Sequence, residues 1–127
     1  MWIPNRNGVF VNIAAAVAEA KDYKYIITGF NVEEAATFPD NSKAFIEKAK
    51  DFFLFSTMNH VEILSPTIDL NKKEIVKIGK ELNAPFHLIY SCYRDGEKMC
   101  GKCESCQRLK AAYIANNMEN TIKERFI

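Results

Sequence analysis

Apolar positions recur along this chain in two rhythms, one helical and one strand-like. From Val9 to Ala20 the apolar positions 10, 13, 14, 17 and 18 return at helical spacing, and the small alanines suit a helix packed closely against a sheet or another helix. A turn-forming cluster, Pro4-Asn5-Arg6-Asn7-Gly8, precedes it. Tyr25-Ile26-Ile27-Thr28-Gly29-Phe30 is a short β-branched run ending in glycine, which predicts a buried parallel strand. Ser42 stands at the N-cap position of a helix over 43–55 whose apolar face is 45, 46, 49, 52 and 53. Val61 to Ser65 predicts a second strand, stopped by Pro66. Asn71 and Glu74 have capping-box spacing ahead of a helix over 72–82, which Asn83-Ala84-Pro85 ends. A last helix over 104–118 presents Leu109, Ala112, Tyr113 and Met118 on its buried face, and residues 119–127 have too little pattern to place.

Helix, strand, helix, strand, helix in succession predicts an α/β fold with parallel strands and crossover helices. At 127 residues, 48% of them hydrophobic, the chain has the size and composition of an ordinary globular domain. Its apolar runs, such as Phe52 to Phe55, are far shorter than the roughly 20 residues a membrane-spanning helix needs, so no membrane association is expected. Trp2 and the polar residues after it do not resemble a secretory signal, and a cytoplasmic setting is expected. Seventeen basic against sixteen acidic residues leave a net charge of +1, which argues against direct binding of nucleic acid. The lysines from Lys72 to Lys80 read as a solvated helix face.

The candidate chemistry is concentrated in one stretch. Cys92, Cys100, Cys103 and Cys106 are spaced C-x7-C-x2-C-x2-C and are all the cysteines the chain has. Four thiolates form the full ligand set of a closed tetrahedral zinc site with metal–sulfur distances of about 2.3 Å. Such a site holds structure and leaves no open position for substrate. Two disulfides or an iron–sulfur cluster are the competing readings; a cytosolic chain disfavours the first, and the known cluster spacings disfavour the second. Asn5, Arg6 and Asn7 lie where a helix N-terminus offers free N–H groups to an anion, although capping and turn formation explain them equally well. The loop after the first strand carries Glu33, Glu34 and Asp40, placed where open α/β sheets bind ligands, or simply solvated. His60 and His87 stand apart from the cysteines and read as ordinary surface or core histidines.

Several strings together resemble a known family. They are Pro4-Asn5-Arg6-Asn7-Gly8, Pro66-Thr67-Ile68-Asp69-Leu70-x-Lys72-x-Glu74-Ile75-Val76, Gly79-x-Glu81-Leu82-x-x-Pro85-Phe86, and Ser91-Cys92-Tyr93 with Cys100-Gly101-x-Cys103-x-Ser105-Cys106. In this order they resemble the 7-cyano-7-deazaguanine synthases of the PP-loop ATP pyrophosphatase superfamily, over about residues 3 to 113. The resemblance implies a partial Rossmann-like sheet of the adenine nucleotide alpha-hydrolase type, with residues 1–90 belonging to the ATPase domain and 91–127 to a zinc-binding loop and terminal helix. It implies an ATP-dependent ligase that makes a deazapurine nitrile from the carboxylic acid and ammonia, for queuosine or archaeosine, with zinc in the four-cysteine site and magnesium accompanying ATP. It places Asn5, Arg6, Asn7, Glu34, Phe38 and Asp40 at the substrate and suggests a homodimer.

The sequence departs from that family at two places. No Gly-Gly pair occurs in these 127 residues, so the phosphate loop of the Ser-Gly-Gly-x-Asp-Ser type is missing. The chain is therefore expected to correspond to the C-terminal part of such an enzyme, with the PP-loop half supplied in cis or in trans. The loop over Glu33 to Ser42 keeps Pro39-Asp40 but has Asn41-Ser42 where the family carries Cys-Arg, which bears on the substrate. A non-catalytic, zinc-stabilised accessory or dimerisation subunit is the alternative of a different class, and a zinc domain of a related tRNA-modifying enzyme is a third.

Overall fold

The computed structural model describes residues 2–127. Helix α1 (Arg6–Ala20) begins three residues before the apolar spacing predicts, so most of the expected turn cluster is its first turn. Asn5, at the N-cap, sits in left-handed backbone (φ 57°) and makes no side-chain cap. The cap comes from elsewhere: the Asp40 carboxylate accepts the Asn7 N–H at 3.2 Å. This satisfies one of the free donors of the helix and places a negative charge at its positive end.

Strand β1 (Tyr25–Ile27) pairs in parallel with β2 (Glu62–Leu64), with Ile26 opposite Ile63. Between them run α2 (Val32–Ala35), a 3-10 turn over Pro39–Asn41 and α3 (Lys43–Ser56), the crossover that a parallel pair requires. Asn31 and Ser42 cap α2 and α3 by accepting the N–H groups of Glu34 and Phe45. At the far end of α3 the Thr57 hydroxyl donates to the Phe53 carbonyl and accepts the Val61 N–H, so the helix end fixes where β2 begins.

Val11, Ala15 and Ala18 of α1, Ile46 and Phe53 of α3, and Val61 and Ile63 at β2 form the core of this first unit, which ends at Asp69. The burial corrects the expected faces. In α1 the stripe of 11, 15 and 18 is buried, whereas Phe10, Ile13 and Val17 are 61%, 59% and 49% exposed. Nor is β1 buried on both faces, since Ile27 is 75% exposed, and Phe52 of α3 is also largely exposed. A helix that is apolar on every side offers a spacing rule no unique face, and the small residues win the close contact.

The second unit runs from Leu70 to Ile127. Helix α4 (Lys72–Glu81) opens with the capping box expected: Asn71 accepts the Glu74 N–H and the Glu74 carboxylate accepts the Asn71 N–H. A 3-10 turn over Phe86–Leu88 follows, then the cysteine loop, α5 (Glu104–Ile114) and α6 (Glu119–Ile122). Val76, Phe86, Met99, Cys106, Leu109, Ala112, Tyr113, Met118 and Ile122 form its core. Gly79 admits Phe86, for a Cβ there would lie 2.8 Å from the ring. By packing, the chain divides into two compact units between 69 and 70, and Val76 and Phe86 belong to the core of the second. The last helix stops at Ile114, earlier than expected, and the tail is ordered by α6 and by a parallel bridge between Met99 and Phe126. Among the described residues no helix is long and apolar enough to cross a membrane.

Candidate functional site

The sulfurs of Cys92, Cys100, Cys103 and Cys106 lie within 4.8 Å of one another. A tetrahedral ion with sulfurs at about 2.3 Å needs them about 3.8 Å apart, so this cluster can close on a metal with small side-chain movement. None of the four is in a disulfide. Two overlapping turns build the set. Cys92 accepts N–H groups from Arg94 and Cys100, both at 3.4 Å, and Cys100 accepts from Lys102 at 3.5 Å and Cys103 at 3.3 Å. Cys103 is the N-cap residue of α5, and Cys106, wholly buried, lies in its first turn.

The same geometry sorts the thiols. The backbone N–H groups of Lys102 and Cys103 hold Cys100 down at about 6, because they stabilise the thiolate. The N–H groups of Tyr93 and Cys106 lower Cys103 as well. Cys106 is pushed up to about 12, chiefly by burial. A metal cation would offset that desolvation and draw the proton from Cys106, while Cys100 is already prepared as a ligand. His60 and His87 are exposed, and the four cysteines are the only group of this kind among the described residues.

The other candidate residues lie in the first unit. Asn7 and Asp40 meet: beyond the N–H bond already described, the Asn7 side chain donates to the Asp40 carbonyl at 3.1 Å, and both residues are buried. The second carboxylate oxygen of Asp40 accepts from the Asn41 side chain at 3.2 Å. Asn5 and Arg6 are exposed beside them in sequence. Glu34, half-buried in α2, accepts the Phe38 N–H on its backbone carbonyl at 2.8 Å, which places Phe38 directly ahead of the turn holding Asp40. Trp2 stacks on Phe38, with ring centroids 5.6 Å apart and planes 4° from parallel.

Whole-sequence comparisons give the family. The family model described as "Queuosine biosynthesis protein QueC" matches residues 1–117. The chain belongs to the QueC family. It is 57% identical over 116 residues to the 7-cyano-7-deazaguanine synthase of Carboxydothermus hydrogenoformans, covering 91% of this chain and 54% of that protein. It is 51% identical over 119 residues to the enzyme of that name from Bdellovibrio bacteriovorus, covering 94% and 52%. With the Methanosarcina mazei protein of the same name it shares 46% over 125 residues, covering 98% and 54%. The chain spans about half the length of these relatives.

In this QueC-family chain two structural features have no signal in the sequence. Trp2 was not singled out, because a lone tryptophan near a terminus has no spacing signal; its stacking partner Phe38 is 36 positions away. The pairing of Asn7 with Asp40 spans 33 positions and likewise leaves no local trace.

Proposed function

We propose that the chain is the C-terminal portion of an ATP-dependent carbon–nitrogen ligase that converts 7-carboxy-7-deazaguanine and ammonia into 7-cyano-7-deazaguanine, for queuosine or archaeosine. The observation that carries this reading is the match of residues 1–117 to the QueC family together with four convergent cysteines in its second half. On this reading ATP adenylates the substrate carboxylate with release of pyrophosphate, and ammonia displaces AMP to give the amide. A second adenylation of the amide oxygen, followed by loss of AMP, leaves the nitrile. The protein's contribution is position and charge: it holds the reactants in line and stabilises the phosphates, with magnesium accompanying ATP.

Zinc is the ion proposed for Cys92, Cys100, Cys103 and Cys106, in a closed structural role. The donor set fits: four sulfurs converge, none is oxidised, and backbone N–H groups already favour thiolate at Cys100. For the substrate side we assign Asn5, Arg6 and Asn7 to the nucleotide or carboxylate end, and Glu34, Phe38 and Asp40 to the deazapurine. The stacked Trp2–Phe38 pair supports a planar ligand there. The sheet of the first unit is proposed as part of a larger Rossmann-like sheet, in a cytoplasmic homodimer. The PP-loop half, in cis or in trans, would cover the apolar side chains that α1 and β1 leave exposed.

The test is AMP release from ATP with 7-carboxy-7-deazaguanine and ammonium, using this chain alone and with a PP-loop fragment of a relative. AMP only in the mixture supports the reading, and AMP from the chain alone would mean that it holds a complete nucleotide site. No AMP in either, with the chain folded and metal-loaded, would favour the second reading, a non-catalytic accessory subunit. The exposed face of α1 is the observation that keeps this second reading in view.

A further inference from the structure

The peptide joining Gly101 to Lys102 is held from both sides. Its N–H donates to Cys100 Sγ at 3.5 Å, while its carbonyl accepts two side-chain donors from α5, Gln107 Nε2 at 3.0 Å and Lys110 Nζ at 3.1 Å. The Lys110 ammonium also lies 4.4 Å from the centre of the Phe126 ring. Gly101 is in left-handed backbone (φ 66°), and a Cβ there would fall 2.6 Å from Lys110 Nζ. Glycine thus permits both the turn and the approach of the lysine.

Phe126 is brought there by backbone pairing with the residue just before Cys100. The Met99 N–H donates to the Arg125 carbonyl at 2.8 Å, the Ile127 N–H donates to the Met99 carbonyl at 3.0 Å, and the Arg125 guanidinium reaches the Ile89 carbonyl at 3.1 Å. Residues 118–127 lie outside the family-model match, yet Met118, Ile122 and Phe126 pack with the core that contains Cys100 and Cys106.

We propose that Lys110 and the segment Arg125–Ile127 form a latch that positions the Gly101–Lys102 peptide against Cys100 and slows loss of the ion held by the four cysteines. The inference rests on the metal reading above. A cation at the carbonyl end polarises the peptide, strengthening the N–H donated to the sulfur at its other end. Four thiolates around a divalent ion carry a net charge of 2−, which a nearby ammonium complements. Lys110 is therefore a positioning residue, acting through the peptide.

Cobalt(II) loaded into the full chain under reducing conditions tests this, through the visible sulfur-to-cobalt band and its decay when EDTA is added. K110M keeps the aliphatic stem but removes donor and charge; it should release cobalt roughly tenfold faster and shift the band, as losing an outer-shell partner does. K110R should restore both band and rate, and F126L should give an intermediate rate. Equal release from K110M and the parent, or K110R as fast as K110M, would overturn the latch. If K110M does not fold, F126L decides: release at the parent rate overturns the proposal. A parent chain that takes up no cobalt would remove the metal reading, and the latch with it. Uptake with one release rate in all variants would overturn the latch alone.

Discussion

Within one cluster, four chemically identical side chains are made unequal by their surroundings. The N–H groups of Lys102 and Cys103 hold Cys100 down at about 6 and favour its thiolate in the metal-free chain, whereas burial pushes Cys106 up to about 12 and favours its thiol. Iodoacetamide at pH 7 should therefore label Cys100 before Cys106, with the Cys100 rate falling at pH values below about 6 and bound zinc protecting both. Labelling of Cys106 first, read by peptide mass, would contradict this order. The linkage to stability has a definite sign. The folded value of Cys100 lies below its ordinary one, so its contribution is complete above the ordinary thiol range and is lost as pH falls through about 6. Tyr113 supplies a second expectation at this scale. It is fully buried, packs edge-on against Phe86 at 5.4 Å, and its hydroxyl has no hydrogen-bond partner among the described residues. Tyr113→Phe should leave the ring packing intact and raise stability by about 1 kcal/mol, measured by chemical denaturation, because it removes an unpaired buried polar group.

Elements were legible in the sequence to the extent that their signals are local. The capping box of Asn71 and Glu74 spans three positions and was read directly, as was the Ser42 cap. The buried face of α5, Leu109, Ala112 and Tyr113, was read too, because the polar Glu104, Gln107, Arg108 and Lys110 fill most of the remaining positions. Helix α1 gave no such contrast, and its true start depends on a carboxylate 33 positions away. The tail was opaque for another reason: it is placed by backbone pairing to Met99, which any side chains could accompany. The cysteine cluster was fully legible, whereas Trp2 was not, since stacking across loops follows no period. The Asp40 cap can be checked as an element-scale effect. Asp40→Ala should destabilise the chain by about 1–2 kcal/mol through loss of the α1 cap, and Arg6→Ala, with its exposed side chain, should leave stability nearly unchanged. Thermal unfolding of both variants measures the difference. In an assembled enzyme the Arg6 variant should lower turnover without loss of metal, and unchanged turnover would reject its proposed role.

At the scale of the whole molecule, apolar surface is distributed unevenly. In the first unit Phe10, Ile13 and Val17 of α1, with Tyr25 and Ile27 of β1, are each about half exposed or more, and Phe10, Ile13, Val17, Tyr23 and Tyr25 line one shallow groove. A helix that is apolar on all sides is ordinarily covered on all sides, and covering such residues yields on the order of 1–2 kcal/mol each. The relatives are about twice the length matched here, enough to supply a cover. If the PP-loop half is that cover, replacing Ile13 by Asp should abolish the AMP release regained on adding a PP-loop fragment. Ile13 is 59% exposed and outside the core of its unit, so the folded chain should tolerate the change. Cobalt uptake by the four cysteines should be unaffected, because all of them belong to the second unit, which has a core of its own. Undiminished complementation by Ile13→Asp would show that the groove is not where the fragment binds. Loss of cobalt together with complementation would show instead that the two units depend on one another for folding, and the activity loss would then say nothing about docking.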